Sequence, residues 1–169
     1  SDLETDCMIS LLPIDERRFN YEILFEERLL LALPPAHPIC AEYGCVPGDS
    51  RNLPTVPLAR LHDTPFLLMH REQKLHDTLF ALCEQAGFLP QIALETRSMY
   101  TAHALAGAGL GAALLPETLI SAAAPAHPPC YAAIAGDPRR TIILAWAKKR
   151  WLPRAVKIFR TELQAFCTA

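Results

Sequence analysis

Two short polar runs offer the clearest chemistry in this chain: Met69-His70-Arg71 and Thr96-Arg97-Ser98. Each follows a stretch that reads as a strand, 65–69 and 91–95, and precedes one that reads as a helix, 72–86 and 99–109. In an α/β sheet that is where ligands bind, because the unpaired N–H groups at helix starts carry partial positive charge. Each run also holds an arginine, whose planar guanidinium can grip a carboxylate through two parallel hydrogen bonds. The chemistry on offer is recognition of a small anion rather than bond breaking. Every one of these residues also has a plainer use: Ser98 caps the helix beginning at Met99, and Arg71 and Arg97 are solvated loop charges. It is the coincidence of two such runs that argues for a ligand site.

Catalytic constellations are absent from the sequence pattern, and no catalytic residue is assigned. No serine sits in G-x-S-x-G, so there is no nucleophile elbow. Ser98 and His103 are five apart on one expected helix and point to different sides, which defeats a serine–histidine pair. Glu117 and Asp137 have no partner carboxylate at a useful spacing. Gly107, Gly109 and Ala112 match G-x-G-x-x-A, but a dinucleotide fingerprint follows a strand and opens a helix; here the helix comes first and the strand, 111–115, comes after. Those glycines end a helix and start a strand, and no cofactor is expected. His37, Cys40 and Cys45 could be drawn as half of a zinc site, yet a structural site needs a second pair, so no metal is expected either. The basic residues Lys148, Lys149, Arg150, Arg154, Lys157 and Arg160 come without a helix-turn-helix or stacking aromatics and read as a strand end and the solvated side of the last helix.

The elements that must hold the two polar runs follow from periodicity. Residues 7–12 read as a buried strand. Ile23, Phe25 and Leu29 to Leu33 read as an extended segment interrupted by a charged turn at Glu26 to Arg28, and 36–52 as an exposed, variable loop. A short helix is expected over 57–62 and a strand over 65–69. Leu75, Leu79, Leu82 and Ala86 share one face of the helix 72–86, which Gly87 stops. After 91–95 and 99–109, strand 111–115 leads to a short helix, 117–123, and a proline-rich loop. Strands 131–135 and 141–147 then precede a last helix whose residues Leu152, Val156, Phe159, Leu163 and Phe166 share a face. The alternation implies a mostly parallel α/β sheet with helices on both faces.

The chain has 169 residues, 51% of them hydrophobic, and a net charge of −2, which gives no general attraction to nucleic acid or anionic membranes. No apolar run is long enough to span a bilayer, and SDLETD lacks a basic-then-apolar leader, which points to the cytoplasm and to no membrane partner. That same segment reads as the tail of a helix, so the chain is expected to begin partway through a fold. The six cysteines form no regular framework.

Six segments taken together resemble the effector-binding domain of LysR-type transcriptional regulators. LETDCMI, from Leu3, resembles L-x-x-D-x-x-I; LFEERLLLALPPAHP, from Leu24, resembles L-x-x-E-x-L-x-L-x-x-P-x-x-H-P. LARL from Leu58 and PFLL from Pro65 are similar to the family's short helix and P-F-I-L strand, AGFLP from Ala86 to A-G-F-x-P, and Leu105 to Pro116 to L-V-A-A-G-L-G-V-A-L-L-P. The resemblance implies a type-II periplasmic-binding-protein-like fold, two α/β subdomains joined by crossing strands at 29–33 and 141–147. Residues 1–30 and 146–169 would belong to an incomplete subdomain I and 31–145 to subdomain II. It implies effector contacts at Met69, His70, Arg71, Thr96, Ser98 and Met99, pairing of two copies along helix 72–86 into a dimer or tetramer, and no enzymatic activity. DNA would be bound only through a winged helix that is not in this sequence. The effector would be a small molecule, with an organic acid the class that the arginines suit. The rival on the same fold is a solute-binding protein or an enzyme.

Overall fold

The computed structural model describes residues 6–122, 124–149 and 151–168. Leu3 of the first resembling segment, Ala123 at the end of its expected helix and Arg150 of the basic run lie outside them. The chain divides into two compact units, residues 28–138 and the discontinuous pair 1–27 with 139–169.

The larger unit contains the second part of β2 (Phe19–Leu33), then α1 (Pro38–Tyr43), β3 (Thr55–Val56), a 3-10 turn at Leu58–Leu61, β4 (Pro65–Met69), α2 (Lys74–Gln85), β5 (Gln91–Thr96), α3 (Met99–Gly107), β6 (Ala112–Pro116), α4 (Glu117–Ala122) and β7 (Cys130–Ile134). Strands β5, β4 and β6 lie side by side and parallel, as do β7 and β3. Between these groups β2 runs antiparallel to both β6 and β7. The sheet is therefore mixed where the alternation alone suggests mostly parallel. The apolar run LLLAL is buried on both faces of its strand, as a sheet covered on both sides requires. Leu29, Leu31 and Leu33 join a core with Phe66, Leu68, Leu75, Leu79 and Leu114, while Leu30 and Ala32 join another with Ala102, Ala106, Leu115 and Ile120.

Strand β2 is unbroken, which corrects the expected turn at Glu26 to Arg28. Each charge there finds a partner far along the chain, so the backbone can stay extended. Glu27, only 4% exposed, takes Arg140 Nε at 2.6 Å; Arg28 holds Glu117 with two hydrogen bonds of 3.1 and 2.6 Å; Thr141 Oγ1 donates to Glu26 at 3.3 Å.

The expected loop 36–52 also needs correction, since it contains α1 with Ile39 and Cys40 buried. His37 Nδ1 accepts the Ile39 N–H at 3.2 Å and its Nε2 meets Thr64 Oγ1 at 2.8 Å, Pro38 fits the first turn, and Gly44 closes the helix at φ 68°.

The glycine stretch is a joint, but not only a flexible one. Gly109 takes the left-handed conformation, φ 92°, that ends α3. Gly107 and Gly111 are sites of close backbone approach: a Cβ on the first would fall 1.8 Å from the His127 carbonyl oxygen, and one on the second 2.6 Å from that of Pro65. Here the absence of a side chain, more than freedom of φ, is what the fold uses.

In the smaller unit β1 (Met8–Leu11) pairs antiparallel with β8 (Arg139–Ala147), which neighbours β2. Pairing of residues 142–145 with 8–11 draws β8 into this unit, so the division falls before Arg139. Leu24, Ile142 and Leu144 form its core with Leu163 and Cys167 of α5 (Arg154–Thr168) packed against them. Helix α5 turns Val156, Arg160, Leu163 and Cys167 inward, a face rotated from the expected one; Phe159 is exposed and Phe166 is 81% exposed. Arg160 lies over the Trp146 ring and pairs with Glu22 at 3.4 Å, and Lys157 lies over Trp151.

Candidate functional site

Parallel pairing of β4 with β5 aligns Met69 with Thr96, so both strands end at the same level and both following helices start there. Hydrogen bonds to backbone carbonyls fix the two loops to each other. The His70 N–H donates to the Thr96 carbonyl at 2.9 Å, and Gln73 Nε2 donates to the Arg97 carbonyl at 2.9 Å. Ser98 caps α3 by accepting the Thr101 N–H at 3.2 Å, while Thr96 Oγ1 accepts the Ser98 N–H at 3.2 Å. Helix α2 has no side-chain cap, since Gln73 at its start is turned to Arg97.

Between the loops lies a cleft of about 620 Å³ lined by His70, Arg71, His76, Glu95, Thr96 and Arg97. Of the six residues expected at the site, His70, Arg71 and Thr96 line it. Met69 is 4% exposed and packs in the core, and Met99 packs against both cores; Ser98 acts as the cap. Arg97, the arginine of the second polar run, also lines the cleft, and His76 and Glu95 are added by the structure. His76 lies in the first turn of α2 and Glu95 at the end of β5, places that strand-end and helix-start reasoning reaches if it is extended by a residue or two.

The charges are unevenly committed. His70 stands between Glu72 at 3.6 Å and Glu95 at 3.9 Å, and Arg97 is 3.6 Å from Glu72. His76 Nδ1 meets Asp77 at 2.9 Å. Among the described residues Arg71 makes no ion pair, which leaves its guanidinium for an anion. Lys74, opening α2, has its pKa lowered by burial. The arrangement can hold a carboxylate or similar group at two helix starts, and it brings together no nucleophile and base. Among the described residues no group of three or more His, Cys, Asp and Glu side chains could hold a metal, and His37 is engaged in capping. No helix among them is long and apolar enough to cross a membrane.

Residues 1–168 match the LysR substrate binding domain family. The chain is 26% identical over 163 residues to an uncharacterized HTH-type transcriptional regulator, YcgK, of Bacillus subtilis (strain 168), covering 92% of this chain and 50% of that protein. It spans about half the length of the curated relatives it matches first. Among solved structures, the regulatory domain of CcmR from Synechocystis PCC6803 in complex with 2-PG superposes with a TM-score of 0.78 at 20% identity, over 97% of this chain and 74% of that one. The effector binding domain of QuiR in complex with shikimate gives 0.75 at 17% identity, over 96% and 72%. At such identities these likenesses speak to the fold, which is that of LysR effector-binding domains.

Proposed function

Since the chain belongs to the LysR substrate-binding domain family, we propose that it is the part of a transcriptional regulator that senses a small anionic effector and passes the signal to a DNA-binding region elsewhere in the protein. The observation that carries this reading is the cleft at the carboxyl ends of β4 and β5, lined by an Arg71 that makes no ion pair among the described residues. The effector class is a small organic acid: its carboxylate takes Arg71, and Glu95 and Thr96 offer partners to hydroxyls. Regulation then requires that the effector bind one arrangement of the protein better than another. Two copies pair along α2, a further part of the proposal that rests on the resemblance of this helix to the family's dimerising one.

Isothermal titration calorimetry against a panel of small carboxylates tests the site. For a binder found in the wild-type protein, Arg71→Ala should weaken affinity by roughly ten- to a hundredfold, the worth of a charge-assisted hydrogen bond, with the fold retained by circular dichroism. Ser98→Ala, which removes the cap of α3, should weaken it less. Unchanged affinity in Arg71→Ala would remove Arg71 from the site and the carboxylate reading with it.

A further inference from the structure

Outside the cleft, three thiols meet where α1 ends and β7 begins. Cys40 is in the last turns of α1, Cys45 directly follows the Gly44 cap, and Cys130 opens β7, pairing with Leu33. The left-handed Gly44 lets the Cys45 N–H donate to the Cys40 carbonyl at 2.8 Å, a helix ending that brings the side chains at its two ends into contact. The Cys40 thiol donates to the Pro34 carbonyl at 3.4 Å, and the Cys130 thiol donates to the Cys45 carbonyl at 3.6 Å, which ties the three residues together. Exposure separates the three. Cys40 and Cys130 are buried, whereas Cys45 is half-exposed and leads into the exposed segment Val46 to Gly48.

We propose that Cys45 and Cys40 are an oxidant-sensitive dithiol, a modification site that takes two-electron oxidants of the peroxide class. In the first step the Cys45 sulfur attacks a peroxide oxygen; the S–O bond forms as the O–O bond breaks, and the second oxygen leaves as water with the thiol proton. The peroxide is reduced and Cys45 becomes a sulfenic acid. In the second step the Cys40 sulfur attacks that of Cys45; the S–S bond forms, the S–O bond breaks, and water leaves with the Cys40 proton. The 2.8 Å bond from the Cys45 N–H to the Cys40 carbonyl holds the two residues side by side, and bridging them requires their Cα atoms to lie within about 7 Å. Burial pushes all three thiols up, so few thiolates are present at neutral pH and the reaction is slow, answering to sustained rather than brief oxidant. The bond formed would pin the α1 cap.

The test uses the whole chain, reduced, then exposed to hydrogen peroxide, alkylated after denaturation and mapped by mass spectrometry. No Lys or Arg lies between Arg28 and Arg51, so Cys40 and Cys45 fall on one tryptic peptide. That peptide should lose two hydrogens and resist alkylation, reversibly with dithiothreitol. The modification should persist in Cys130→Ser and disappear in Cys45→Ser, while Cys83 in α2 stays alkylatable. Two results overturn the proposal: a cross-link between this peptide and that of Cys130, or recovery of Cys40 and Cys45 as free thiols at peroxide levels that oxidise Cys7 or Cys167. Both readouts come from the wild-type chain, so a poorly folding variant does not decide them.

Discussion

At the scale of single residues, two side chains carry separable consequences. Arg71 is a residue whose cost appears only when ligand is present, as the calorimetric comparison requires. His103 is the opposite, a residue that matters to the unliganded fold. It is 1% exposed on α3, its Nε2 meets Tyr131 Oη at 2.7 Å, and burial lowers its pKa below the ordinary 6.5. The folded protein therefore binds that proton less readily than the unfolded chain. Stability from His103 is complete above pH 6.5 and is lost as pH falls from there toward the folded-state value. His37, also lowered by burial, acts in the same direction, so the diagnostic is a difference. Urea midpoints measured from pH 8 to pH 5 should fall less steeply below about pH 6.5 in His103→Gln than in wild type. Parallel curves would show that His103 does not titrate with unfolding.

At the scale of elements, the ion pair of Glu27 with Arg140 joins β2 to β8, the Glu27 side chain buried and that of Arg140 partly exposed, with Arg140 Nη2 also within 2.5 Å of Glu27 Oε1. Removing one partner takes charge-assisted hydrogen bonds from the other, so Glu27→Ala or Arg140→Ala should cost about 1.5–3 kcal/mol in denaturant unfolding. Replacing both by apolar residues should cost clearly less; equal losses for the single and double variants would mean that the strands, not the pair, bear the effect. Gly107→Ala is the matching test for α3. Its methyl must displace the backbone at His127, and a loss of roughly 1–3 kcal/mol is expected.

These same elements mark where sequence reasoning reached and stopped. Helix α2 was legible because Leu75 and Leu79 repeat at helical spacing, and the cleft residues His70, Arg71 and Thr96 because strand ends in an α/β sheet are where ligands sit. The continuity of β2 was not, since Glu27 and Arg28 are satisfied by Arg140 and Glu117, about a hundred residues away. Helix α1 was hidden likewise, because its cap leans on Thr64. The inward face of α5 was misjudged because Phe159 and Phe166 carry the apolar signal while Arg160 and Cys167 make the contacts.

At the scale of the whole molecule, the proposed function gives sensing to these residues and operator recognition to a region elsewhere in the protein. In a mobility-shift assay this chain alone should show no sequence-specific retardation of DNA, and a specific shift would contradict that division. Pairing along α2 predicts a dimer by sedimentation velocity, which Ala81→Glu, at an exposed position of the helix, should convert to monomer. A wild-type monomer would remove α2 as the dimer contact. The placement of the two tryptophans bears on how signalling can be watched. Trp146 and Trp151 both belong to the unit of residues 1–27 and 139–169, whereas every residue lining the cleft belongs to 28–138. A change in intrinsic emission on adding effector would therefore report on the unit that holds none of the lining residues, an optical readout available in the native protein.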